Sequence, residues 1–159
     1  MFTDAEDVYK KYKNQYKCHD NGYVILAPPA SGKTYFVRQQ SMHKKNWIDQ
    51  DDLFGELGVK WHDKYNTKLN YLRADYISEQ TKTLGYRIIG SLFWNYRPDA
   101  IVILPLELHR KYINMRQDLD PGFVLNIRNL LINIAEKYNI PNFNNIKDAV
   151  EYLENKKKY

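Results

Sequence analysis

Apolar positions fall along this chain in two alternating patterns, short unbroken runs and longer stretches of helical spacing. YVIL at 23–26, RIIGSLFW at 87–94 and AIVIL at 100–104 are continuous apolar runs rich in β-branched residues. Such runs belong to the centre of a parallel sheet covered on both faces. NWID at 46–49 predicts a short further strand, and 141–145 a final strand or loop. Helical spacing predicts an opening helix within 1–18, packing through Val8, Tyr9, Tyr12 and Tyr16, and a second helix over 33–40. A third starts at the acidic turn 49–52, with Leu53, Phe54 and Leu57 inward and Gly55 and Gly58 as punctuation. A longer one runs from about Lys68 to Leu84, with Leu69, Leu72, Tyr76 and Ile77 on one face and Gly85 to end it. Three more are expected over 106–116, 123–138 and 145–155, with loops at 95–99 and 118–122. Strands alternating with helices predict a three-layer α/β/α sandwich with a mainly parallel central sheet, and ligands beyond the carboxyl ends of its strands. No repeat or linker interrupts the pattern, so one domain over 1–159 is expected.

Composition narrows the function classes. An apolar fraction of 43% with 27% charged residues is that of a soluble globular protein. No apolar run is long enough to span a bilayer, so no membrane partner is expected. The opening MFTDAEDVYKKYK has no apolar segment of the kind a signal peptide needs. Cys18 is the sole cysteine, which rules out an internal disulfide and suits a reducing, cytoplasmic setting. Its expected role is an inert thiol. A formal charge of +5 favours acidic ligands such as nucleotides or nucleic acid. Part of that charge sits in Lys156, Lys157 and Lys158, expected as a solvated end. A monomer or homodimer is expected.

The first stretch with chemistry is APPASGKT at 27–34, directly after the first strand. It fits the phosphate-loop pattern G-x-x-x-x-G-K-[ST] except that Ala27 holds the first position. In such a loop, backbone N–H groups curl round a phosphate and the lysine adds a full charge. Pro29, Ala30, Ser31, Gly32, Lys33 and Thr34 are the candidate nucleotide-binding residues, and Thr34 the candidate hydroxyl for magnesium. Ala30 narrows the backbone, because alanine resists positive φ.

A second constellation, Asp49, Asp51 and Asp52, follows the second strand. Three carboxylates in four residues repel unless something compensates them. Magnesium on nucleotide phosphates is such a compensator, and Asp49 is the candidate ligand. Asp51 is the candidate base for an attacking hydroxyl, and Asp52 the expected helix cap. The third constellation, LHRKYINMR at 108–116, gathers His109, Arg110, Lys111 and Arg116. Arg110 and Arg116 are candidates for stabilising a transferring phosphoryl group, whereas His109 reads as structural. Arg73 reads as an exposed helix charge, with a second role open to it if the acceptor is a phosphate. Neither RIIGSLFW nor AIVIL ends in an acid, which argues against a motor or switch NTPase.

APPASGKT, WIDQDDLF and ILPLELHRKYINMR together resemble the small P-loop kinases, the superfamily of adenylate, shikimate, gluconate and polynucleotide kinases. The resemblance covers most of 23–116, and NFNNIKDAV at 142–150 is similar to that family's closing strand and helix. It implies a P-loop NTPase-type sandwich, ATP with Mg2+, catalytic Lys33, Asp51, Arg110 and Arg116, and a mobile lid within about 105–122. Asp49 and Asp51 resemble the Asp-x-Asp of the shikimate type. Gly55 stands where the adenylate type has an arginine for the monophosphate. The expected activity is γ-phosphoryl transfer to a nucleoside, nucleotide, nucleic-acid 5′ end or small hydroxylated acceptor. ATP hydrolysis, or nucleotide binding by a catalytically weak module, remain the alternatives.

Overall fold

The computed structural model describes residues 5–40, 43–56, 67–91 and 96–156. Strands and helices alternate: α1 Ala5–Tyr12, β1 Tyr23–Leu26, α2 Lys33–Arg38, β2 Trp47–Asp49, α3 Gln50–Glu56, α4 Thr67–Thr83, β3 Arg87–Gly90, β4 Ala100–Val102, α5 Leu106–Asn114, α6 Pro121–Tyr138, β5 Asn142–Phe143 and α7 Ile146–Glu154. The protein is therefore α/β, with a five-stranded parallel sheet in the order β2-β3-β1-β4-β5. β1 and β4 are buried along their whole length, as expected of strands covered on both faces. Close contacts divide the chain into two compact units, one of Met1–Val24, Val37–Ile89 and Phe93–Tyr96, the other of Ile25–Phe36, Gly90–Leu92 and Arg97–Tyr159.

In the first unit β2 and β3 pair with Ile48 opposite Ile88. β2 is an edge strand, and the Gln40 side chain occupies its outer bonding positions. The Gln40 amide donates to Trp47 O at 2.8 Å and accepts from Trp47 N at 2.6 Å. An edge protected in this way cannot recruit another strand there. Gly85 has a φ of 99°, and a Cβ there would fall 2.1 Å from His19 O, so only glycine fits the turn into β3.

Three expectations for this unit are corrected. The opening helix stops at Tyr12, and Tyr16 instead bridges to Lys45 in parallel. Val8, Tyr12 and Tyr16 are buried, while Tyr9 is 49% exposed. On α4 the buried stripe is Asn70, Ala74, Ile77, Ser78 and Thr81, and Leu69, Leu72 and Tyr76 are exposed. Small side chains let a helix approach its neighbour closely, and Thr81 is tolerated there because the helix bonds it, its Oγ1 donating to Ile77 O at 2.6 Å. Leu53 is fully buried on α3. The Phe54 side chain, Leu57, Gly58, Trp94 and Asn95, like Lys157 and Lys158, lie outside the described residues.

In the second unit β1 pairs with β4, Ile25 opposite Ala100, and β4 with β5, Val102 opposite Phe143. Helix α6 begins with Asp120, whose side chain accepts from Gly122 N, and ends at Asn139 with φ 51°. Asparagine tolerates that left-handed conformation well. Asn145 caps α7 by accepting from Asp148 N at 2.8 Å. From β1 the chain leads toward β2, and from β4 toward β5. Connections departing in opposite directions make the carboxyl ends of β1 and β4 a switch point, where α/β sheets bind ligands.

Candidate functional site

The loop at 27–34 leaves β1 at that switch point. Ala27 N donates to Gly90 O at 2.8 Å, so the loop starts from a fixed strand end. Two residues then take positive φ, Ala30 at 63° and Gly32 at 89°. Ala30 thus adopts the conformation its methyl group disfavours, at a cost of about 1–2 kcal/mol. Gly32 is required for its backbone conformation and not for space, because a Cβ there would meet nothing within 4 Å. Lys33 folds back over the loop, its Nζ donating to Ala27 O at 2.8 Å and Pro28 O at 2.6 Å. Ser31 Oγ is buried and lacks a hydrogen-bond partner among the described residues. Thr34 is exposed on the first turn of α2.

His109 bonds to this loop, and Arg128 bonds to His109. His109 is fully buried on α5, and Arg128 is 9% exposed on α6. Arg128 Nη1 donates to Leu104 O at 2.7 Å and to His109 Nδ1 at 3.1 Å. A guanidinium is always a donor, so Nδ1 carries no proton and the ring's single proton lies on Nε2. That Nε2–H donates to Pro29 O at 2.9 Å. Burial holds the imidazole below its usual range; the Pro29 carbonyl opposes the shift, and the charges on Arg128 and Lys33 add to it. His109 is therefore neutral near pH 7.

Arg128 is the site residue that sequence reasoning missed. Its signal was a lone charge in the stripe Val124, Ile127, Leu131 and Ala135, which is otherwise apolar. Burial, then Arg110, push its guanidinium below its ordinary range. Arg110 is exposed on α5. Among the described residues neither Arg110 nor Arg128 makes an ion pair. Arg116 is committed differently: its Nε and Nη2 reach the Asp118 carboxylate at 3.2 and 2.7 Å.

The acidic turn belongs to the first unit. Asp49, not Asp52, caps α3, because its Oδ1 accepts from Asp51 N at 3.0 Å. The helix begins at Gln50, so Asp52 already lies in the first turn and Asp49 holds the capping position. Asp51 and Asp52 are exposed. Burial, then Asp52 and Asp49, push the Tyr16 phenol up to about 12. Among the described residues no group of three His, Cys, Asp or Glu side chains is arranged to hold a metal ion. Arg73 is half-buried on α4, and Cys18 is exposed, its thiol donating to Leu84 O at 2.7 Å. No helix among the described residues is long and apolar enough to cross a membrane. No protein-family model and no curated protein matches this sequence.

Proposed function

We propose that this chain is an ATP-dependent phosphotransferase, with the loop at 27–34 holding the nucleotide's phosphates. The observation that carries the reading is the concentration of positive charge in the second unit. Lys33 closes back on a loop with two left-handed residues, and Arg110 and Arg128 make no ion pair among the described residues. Such a gathering of cations favours a polyanion. The unanswered Ser31 hydroxyl and the open space at Gly32 suit phosphate oxygens as well.

In this reading Lys33 brings its charge to the β- and γ-phosphates, and Arg110 and Arg116 stabilise the transferring group. Arg116 would exchange Asp118 for phosphate oxygens. Magnesium bound with the nucleotide would neutralise phosphate charge, with Thr34 and Asp49 as its protein ligands. The acceptor oxygen bonds to the γ-phosphorus as the bond to the ADP oxygen breaks. For an alcohol acceptor, the proton passes to the Asp51 carboxylate. The parts given to Asp49 and Asp51 rest on the sequence alone. The acceptor is a nucleoside, nucleotide, nucleic-acid 5′ end or small hydroxylated molecule.

Transfer of labelled γ-phosphate from magnesium ATP to a panel of these acceptors tests the proposal. Label on one acceptor supports it and names the substrate class. Phosphate released equally without acceptor replaces it with an NTPase, and ATP binding without turnover replaces it with a binding module.

A further inference from the structure

We infer that His109 and Arg128 are positioning residues for the phosphate loop, a buried relay that holds the Pro29 peptide and thereby keeps Ala30 in its left-handed turn. The inference deepens the phosphotransferase reading and rests on it for the identity of the ligand; the relay itself rests on geometry.

A carbonyl and the following N–H share one rigid plane. The plane between Pro29 and Ala30 turns only through ψ of Pro29 and φ of Ala30. Pinning Pro29 O therefore pins the φ of Ala30, which stands at 63°. Alanine left to itself returns to negative φ. A flip of this peptide would relieve the strain and reverse the direction in which the Ala30 N–H points, spoiling a loop whose use is to aim N–H groups at an anion.

The His109 bond opposes that flip, and Arg128 makes the bond directional. Its two Nη1 hydrogens are divided between Leu104 O, two residues past the end of β4, and His109 Nδ1. The ring is thus oriented from a strand end and can present only an N–H to Pro29. A buried guanidinium without a carboxylate partner among the described residues is an expensive way to fill an apolar stripe, and a methionine would pack there at lower cost. Fixing the tautomer of His109 is a task that methionine cannot perform.

Two substitutions separate positioning from simple support. Gln at 109 can place an amide N–H near the Nε2 position and keep the Pro29 bond. Asn at 109 can place its oxygen near Nδ1 and keep the Arg128 bond, but its amide nitrogen stops short of the Nε2 position and of Pro29 O. Amide exchange in the ligand-free protein should therefore quicken about tenfold at residues 30–33 in His109→Asn, the change that one hydrogen bond of ordinary net strength makes. In His109→Gln it should change less than twofold. Affinity for magnesium ATP should fall in the same order, with similar melting temperatures for the two variants. Loop exchange unchanged in His109→Asn, or quickened equally in both, overturns the relay. If the wild type binds no ATP, the phosphotransferase reading falls and the exchange contrast still decides the relay. Should either variant fail to fold, nitrogen NMR of the wild type decides it: the relay requires the Nε2–H tautomer, and a proton on Nδ1 contradicts it.

Discussion

The Nε2–H of His109 donates to the carbonyl of Pro29 across 2.9 Å, joining residues 80 positions apart in the chain. The peptide it holds leads into Ala30, whose φ of 63° is the one strained alanine conformation among the described residues. Ala30→Gly should relieve about 1–2 kcal/mol of strain while adding about 0.5–1 kcal/mol of unfolded-state entropy. The expected net effect is a gain of about 0.5–1 kcal/mol, read as a higher urea midpoint. A loss of stability would mean that the methyl group makes packing contacts worth more than the strain.

Gly32 and Gly85 both have positive φ, at 89° and 99°, but differ in what surrounds them. At Gly32 a Cβ meets nothing within 4 Å, whereas at Gly85 it would lie 2.1 Å from His19 O. Gly32→Ala should therefore cost about 1–2 kcal/mol, the backbone penalty alone. Gly85→Ala should cost clearly more, because the His19 backbone must also move and give up its 2.8 Å bond to Gly85 O. Urea denaturation of the two variants checks the order, and equal costs would contradict it.

Acid should destabilise the fold through two histidines. Burial, then the charges on Arg87 and Lys17, lower His19 to about 4, against the opposing effects of Asp20 and Asn46. Burial likewise lowers His109. An unfolded histidine protonates near 6.5, so below that pH the unfolded chain binds more protons. The stability contributed by each neutral ring is complete above about 6.5 and declines as pH falls toward the folded value, by up to about 1.4 kcal/mol per pH unit. The half-buried His19 should reach only part of that slope. Urea midpoints between pH 7.5 and 5 should fall in the wild type and fall less in His19→Gln. Parallel curves would remove His19 from the account.

Gln40→Ala should cost about 1–2 kcal/mol, because it removes two bonds from the edge-strand residue Trp47. Gln40→Glu should recover little, since a carboxylate can accept from Trp47 N but cannot donate to Trp47 O. Thermal melting of the pair checks this, and full recovery in Gln40→Glu would refute the bidentate role.

The strands were legible because each rests on a local rule. A continuous apolar run such as YVIL belongs to a strand covered on both faces, and all four of its residues are buried. The face of α4 was not legible, because apolarity points to Leu69, Leu72 and Tyr76 while close packing chose Asn70, Ala74, Ser78 and Thr81. Asp49, Asp51 and Asp52 could not be ranked as caps without knowing that β2 runs straight into α3. His109 was read as structural, and its bonds do tie α5 to the loop and to α6. What the sequence hid was the partner: nothing in the spacing joins position 128 to position 29. That link exists only once the chain folds.

Calorimetric titration of magnesium ATP into the wild type and Lys33→Ala, with melting curves for both, tests the central claim most directly. Saturable binding by the wild type, weakened at least tenfold in a Lys33→Ala protein that still melts cooperatively, is the predicted result; a charge-assisted bond to phosphate is worth that much. Absence of binding by the folded wild type, or equal binding by both proteins, would contradict a phosphate site at this loop.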